Sequence, residues 1–373
     1  MLAKRAGSAG GGDADQRSRG GMAARIAFAA AAIAVVAAAR ISSASDITVT
    51  SSGAVRVTEL TVPPSPLLSP QGRAYLAAHL GRIQRLRAEG GKGASDELAT
   101  DLAHQQALFP VRRRSAVMGG VRVVVYTPKG GVSRANRRRV LINLHGGGFA
   151  GCWPACAQLE SVPIASVGGF RVVSVDYREG PRFHYPAASE DVAAVYGALL
   201  KTYRPQDIGI YGCSAGGLLT AMATAWFQRH GLPRPGAIGI FCAGGAAPGA
   251  RGWSGDSGYV GMALGEASAL PLPGRARTGY LGGVDPDDPL VSPVDFPRVL
   301  AKFPPTLFIT ASRDLAMSSA TYTNEQLAEL GVPTELHVWD GLFHAFFYDP
   351  DVPESRACYR VVVRFFERRL GGG

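Results

Sequence analysis

Ser214 stands between an apolar run and a helical pattern in IGIYGCSAGGLLT, residues 208–220, with Gly212, Gly216 and Gly217 around it. A strand that becomes a helix within so few residues must bend sharply, and the glycines keep backbone and neighbouring strands from colliding. The residue at the apex is held in a strained position with its side chain turned outward, which suits a nucleophile better than a packing residue. The helix that follows brings unpaired N–H groups and partial positive charge to where an oxyanion would form. A second stretch, LINLHGGGFAGCW, places His145, Gly146, Gly147 and Gly148 directly after an apolar strand. Three consecutive glycines leave backbone N–H groups unobstructed, as a tetrahedral oxyanion requires, and His145 is expected to hold that loop in shape.

A serine nucleophile needs a base and an acid to orient it. Of seven histidines, His79, His104 and His230 lie in helical patterns, His184 in a Pro-rich turn and His337 inside the last strand-like run. His344, in DGLFHAFFYDP, follows that strand in a loop, where a base is expected. Asp314, in LFITASRDLAMSS, sits just beyond a strand end and is the candidate acid, while Asp340 is a rival close to His344. Cys152 and Cys156 are close enough to bridge in an oxidising compartment. They lack a second Cys or His pair at ligand spacing, so no metal site is expected. The chemistry needs no cofactor.

The elements that must position these groups alternate. Strand-like runs at 121–126, 140–144, 172–175, 208–211, 238–242, 306–310 and 335–339 alternate with helical runs at 187–202, 215–230, 319–330 and 354–370. Continuous Val/Ile runs between helices indicate a mostly parallel sheet covered on both faces, an α/β fold. Two helical patterns, 71–88 and 94–108, precede it. The Gly- and Pro-rich stretch 249–291, with Trp253 and Tyr259, breaks the rhythm and reads as an insertion covering a site.

Seven motifs in order resemble the hormone-sensitive-lipase-like branch of the α/β-hydrolases, the bacterial carboxylesterases with an HGGG loop. They are HGGGF at 145–149, VDYR at 175–178, YPAASED at 185–191, SAGG at 214–217, DPLVSP at 288–293, SRDL at 312–315 and the His344 loop. The chain order Ser214, Asp314, His344 agrees. The resemblance implies Ser214 as nucleophile, His344 as base, Asp314 as orienting acid, and oxyanion donors at Gly147, Gly148 and Ala215. It also implies a cap from residues 69–108. Two departures stand out: Cys213 occupies a position that is usually Asp, and Ala345 one that is usually Gly.

The organisation expected is an export segment at 1–44, lead-in and cap helices at 45–110, and a catalytic domain at 111–373. The activity expected is hydrolysis of short- to medium-chain acyl esters through an acyl-enzyme. Alternatives are lactones, amides or acetylated sugars on the same triad, or a non-catalytic ligand-binding protein on the same fold. Of the net charge of +10, +4 lies in residues 1–44, leaving about +6 on the rest. The clusters Arg112–Arg114 and Arg137–Arg139 lack interleaved aromatics and read as solvated turns, so no nucleic-acid partner is expected. The apolar run 26–39 is short for a membrane span and suits a secretory signal, with the true start at Met1 or Met22. The protein is therefore expected to be exported, or anchored if the segment is retained, with no stable span in the mature chain. The sequence leaves a homodimer open.

Overall fold

The computed structural model describes residues 47–58, 60–88, 94–265 and 279–371. The expected export segment, and residues 266–278 of the expected insertion, lie outside the described residues. The described residues up to Pro63 and those from Pro64 belong to two separate units. The first contains an exposed antiparallel pair, β1 (Ile47–Val49) and β2 (Val55–Val57).

The second unit is built on eight strands: β3 (Val111–Met118), β4 (Val121–Pro128), β5 (Val140–Leu144), β6 (Arg171–Val175), β7 (Ile208–Cys213), β8 (Ala237–Phe241), β9 (Thr306–Ala311) and β10 (Thr334–Trp339). Their order is β10-β9-β8-β7-β5-β6-β4-β3. The six strands from β10 to β6 pair in parallel; β4 and β3 join antiparallel at one edge. Every residue of β5, β7, β8 and β9 is buried, which explains their near-continuous apolar composition.

Nine helices surround the sheet: α1 (Pro70–Ala88), α2 (Ala94–Leu108), α3 (Ala155–Gly168), α4 (Ala187–Leu199), α5 (Ala215–Arg229), α6 (Asp256–Ala263), α7 (Pro297–Leu300), α8 (Met317–Glu329) and α9 (Pro353–Arg369), counted among the described residues. Side chains alternate between two cores, as the two-residue period of a strand demands. Ile142, Val173, Ile210, Ile240 and Phe308 pack with residues of α4, α5 and α8. Their neighbours Leu141, Val172, Tyr211, Phe241 and Ile309 pack with residues of α1, α3 and α9. No helix among the described residues is long and apolar enough to cross a membrane.

Two elements differ from the sequence reading. Arg112, Arg113 and Arg114 are not turn residues; they lie in β3, whose register pairs Arg113 with Tyr126. Their side chains are exposed because β3 is the outer edge of the sheet, where charge discourages pairing with another chain. Helix α3 carries Pro163 in its interior and Glu160 and Ser161 in a buried stretch, which obscures its helical period.

The crossing of α5 over β5 leaves no room at its start. A Cβ at Gly216 would sit 1.8 Å from the Leu144 carbonyl oxygen and 2.7 Å from that of His145. Both neighbours are backbone and cannot rotate away. Gly216→Ala is expected to cost about 3 kcal/mol or more, measured as a shift of the urea midpoint; an unchanged midpoint would contradict this packing.

Candidate active site

Ser214 links the last residue of β7 to the first of α5 and has φ 57° and ψ −121°, a region that residues with a side chain rarely enter. Its N–H donates to the Phe241 carbonyl at 2.8 Å and its own carbonyl accepts from Leu218 at 3.0 Å. A Cβ at Gly212 would lie 2.3 Å from the Leu144 oxygen, and one at Gly217 2.8 Å from the Phe241 oxygen. The glycines are thus required by close approach of β5 and β8, and the serine is turned out of the sheet into a cavity.

On the same cavity is His344, in the loop after β10. Its Nδ1 donates to Asp314 Oδ1 at 2.8 Å. Asp314 lies just past β9, fully buried, and accepts two more bonds, from Thr310 Oγ1 at 2.8 Å and the Ala316 N–H at 2.9 Å. Burial alone would raise its carboxyl, but the His344 charge and these hydrogen bonds outweigh it and hold Asp314 below the ordinary carboxylate range. The rival, Asp340, accepts the Ser65 hydroxyl instead. The other helical histidines are occupied elsewhere: His79 stacks on Phe343, His104 meets Asp351 at 2.8 Å, and His230 bonds the Trp226 carbonyl.

The glycine loop follows β5. Gly147 has φ 118° and Gly148 φ 64°, and a Cβ at Gly147 would fall 2.1 Å from the Gly151 oxygen. Gly148 and Ala215 face the same cavity as Ser214. His145 is fully buried beneath the loop. Its Nδ1 donates to the Gly146 carbonyl at 2.8 Å, so Nε2 turns a lone pair toward Glu179 Oε1 at 3.2 Å. The contact is not an ion pair, because burial lowers His145 to about 4 and keeps the ring uncharged; burial also raises Glu179 to about 7. The ring also stacks on Tyr177, whose hydroxyl donates to the His145 carbonyl at 2.6 Å.

The cavity has a volume of about 340 Å³, within the range of small-molecule sites. Beyond Ser214 and His344, its walls include Phe149, Leu218, Trp253, Tyr280, Leu281 and Leu315. Trp253, Tyr280 and Leu281 come from the expected insertion, and Phe149 stacks on Tyr280 at 4.7 Å, tying the insertion to the glycine loop. Tyr259, by contrast, is exposed, and Tyr75 and Leu76 belong to the core beside α9. Ligand atoms of Cys242, Asp314 and His344 lie within 4.8 Å of one another. Burial pushes the Cys242 thiol well up, and its sulfur accepts the Ala345 N–H at 3.2 Å, so it is a protonated packing group, unlike a thiolate ligand.

Residues 141–348 match the family described as alpha/beta hydrolase fold. The chain belongs to the α/β-hydrolase family. Within it the chain falls in the hormone-sensitive-lipase-like branch and is a carboxylesterase. It is 29% identical over 237 residues to an acetyl-hydrolase of Streptomyces hygroscopicus, covering 63% of this chain and 77% of that one. The crystal structure of esterase E25 superposes with a TM-score of 0.69 at 26% identity, covering 84% of this chain and 98% of the other. A hormone-sensitive lipase from a metagenome library gives a TM-score of 0.61 at 25% identity, covering 78% and 98%.

Against this family pattern, the carboxylesterase has two substitutions with visible consequences. Ala345 has φ 57°, the left-handed region where the usual glycine is favoured. Cys213 is fully buried, and burial raises its thiol to about 11, so it carries no charge at the elbow. The sequence reading missed Glu160, Asn143 and Tyr280 near the site; for Glu160 the one available signal is a lone acid inside an apolar run. Cys152 and Cys156 are joined as a disulfide across the entry to α3, directly after the glycine loop. Closing so short a loop stabilises by about 2 kcal/mol on the chain-entropy account. Replacing both cysteines with serine is expected to lower Tm by roughly 3 °C, with no further effect of reductant on the double variant.

Proposed function

We propose that this carboxylesterase works through Ser214 as nucleophile, His344 as general base and Asp314 as the acid that orients the imidazole. The observation that carries the reading is the 2.8 Å bond from His344 Nδ1 to a buried, ionised Asp314, with His344 and Ser214 lining one cavity. With Nδ1–H committed to Asp314, Nε2 is left with the lone pair that can accept the Ser214 proton. Ser214 Oγ then attacks the ester carbonyl, whose oxygen becomes an oxyanion. The N–H groups of Gly147, Gly148 and Ala215 hold that charge. The imidazolium gives its proton to the departing alkoxide, leaving an acyl-Ser214 ester and free alcohol. Water, deprotonated by His344, attacks the acyl carbonyl and releases the acid, regenerating Ser214.

The acyl groups proposed are short to medium. An apolar cavity bounded by Trp253, Tyr280 and Leu281 supports this, as does similarity to a protein named for acetyl hydrolysis. Lactones, amides and acetylated sugars would use the same acyl-enzyme. The filled Ser, His and Asp positions speak against a purely ligand-binding role. Export through residues 1–44 belongs to the same proposal, and a disulfide fits an oxidising compartment.

Hydrolysis of p-nitrophenyl esters by the full chain is expected to be faster for acetate and butyrate than for palmitate. Ser214→Ala should lower kcat at least about 10³-fold, and Asp314→Asn roughly 10³–10⁴-fold. A Ser214→Ala variant with most of its activity would exclude the proposed nucleophile, and a preference for palmitate the proposed acyl range.

A further inference from the structure

Glu160, in α3, is buried to 4% exposure, yet neither Ser214 nor His344 touches it in any bond described above. Its carboxylate instead collects donors from each segment that the proposed reaction needs held in place. Oε1 accepts the Gly146 N–H at 2.9 Å and the Tyr348 hydroxyl at 2.9 Å. Oε2 accepts Asn143 Nδ2 at 2.8 Å. The nearby Cys213 backbone amide also favours the charged form. Gly146 precedes the two glycines of the loop, Cys213 precedes Ser214, and Tyr348 ends the short helical turn after His344.

The contacts leave little freedom. The Asn143 Oδ1 is taken by the Ser174 hydroxyl at 3.0 Å, which fixes Nδ2 toward Glu160. Gly146 is wedged between Glu160 and the elbow: a Cβ there would meet the Cys213 carbonyl oxygen at 3.1 Å, Glu160 Oε1 at 3.4 Å and Ser214 Cβ at 3.5 Å. Cys213 supplies only a protonated thiol in the neighbourhood of Tyr348. We propose that Glu160 is a positioning residue that locks the glycine loop and the His344 loop onto the Ser214 elbow. This rests on the assignment of Ser214 and the glycine-loop amides above.

The titratable groups facing Glu160 are Tyr177, Tyr211, Cys213 and Tyr348, and burial pushes all four upward, so they stay neutral at working pH. No cation among these offsets the charge, and burial raises Glu160 to about 7 against an ordinary 4.5. The native state therefore holds a proton that the unfolded chain releases between those values. Ionised Glu160 costs stability as pH rises through that window, while it gives the donors their best acceptor. Glutamine removes the charge but must turn its NH₂ toward either Asn143 Nδ2 or the Gly146 N–H, and one donor loses its acceptor.

The test is steady-state hydrolysis of p-nitrophenyl acetate across pH by wild type, Glu160→Gln and Glu160→Gln/Cys213→Asp, with Tm recorded for each and Ser214→Ala alongside. Misplacing an oxyanion donor costs on the order of 10²-fold. Glu160→Gln is therefore expected to lower kcat about 10- to 100-fold near pH 8, with KM within about threefold and Tm within a few degrees. The gap to wild type should narrow below about pH 7, where wild-type Glu160 is itself protonated. Cys213→Asp in that background should recover part of the loss by placing a carboxylate beside Tyr348. A kcat within about twofold of wild type, or a gap that neither grows with pH nor narrows with Cys213→Asp, overturns the proposal. If Glu160→Gln does not fold, Tyr348→Phe decides. A fall in kcat of at least about threefold at unchanged KM supports the proposal, and an unchanged kcat overturns it. Equal activity in wild type and Ser214→Ala would instead remove the reading of the site itself.

Discussion

The backbone at Ser214 is the constraint on which the site depends. A serine at φ 57° and ψ −121° costs on the order of 1–3 kcal/mol and persists only where its surroundings leave no alternative. Here they do not. The carbonyl of Leu144 lies against Gly212 and Gly216, the carbonyl of Phe241 takes the Ser214 N–H, and α5 must begin at the next residue. β5 and β8 flank β7 in the sheet, so the register that pairs these strands also fixes where the hydroxyl points. The same close approach puts the glycine loop, which leaves the end of β5, next to the start of α5.

Charge is handled differently at each buried acid, and the partners explain the difference. Asp314 and Glu160 are both enclosed, and burial pushes both upward. Asp314 has an imidazole that can carry positive charge, so it remains an anion, as the proposed reaction requires of the group that stabilises the imidazolium. Glu160 has only neutral donors and is brought to about 7. His145 meets Glu179 as an uncharged ring at neutral pH, which suits a group whose task is to brace a loop. One imidazole is thus left available for proton transfer while the other is kept inert by enclosure.

The sequence made legible what residue type and local spacing encode. Near-continuous apolar runs announced β5 to β9, and Ser214, the glycine loop, Asp314 and His344 carry motifs that need these residues in that order. Choosing Asp314 over Asp340 was less secure, because both lie near the carboxyl end of a strand; the bond from Ser65 to Asp340 is a tertiary fact with no local signature. Glu160 was invisible for a similar reason, since its partners come from β5, β7 and the His344 loop, and Pro163 interrupts the pattern of its helix. The arginines of β3 were misread because an edge strand tolerates charge that a central strand excludes. Tyr280 became a cavity wall only through stacking on Phe149, a contact between segments far apart in the chain.

Covalent capture of the intermediate tests the central claim most directly. The full chain would be mixed with p-nitrophenyl butyrate, quenched in acid within milliseconds to seconds, digested and analysed by mass spectrometry. The account predicts a burst of nitrophenol and a butyryl group on the peptide that contains Ser214, on that serine alone, absent when His344 is replaced by alanine. Turnover without any acyl adduct on Ser214, or an adduct on another residue that is competent to turn over, would contradict it.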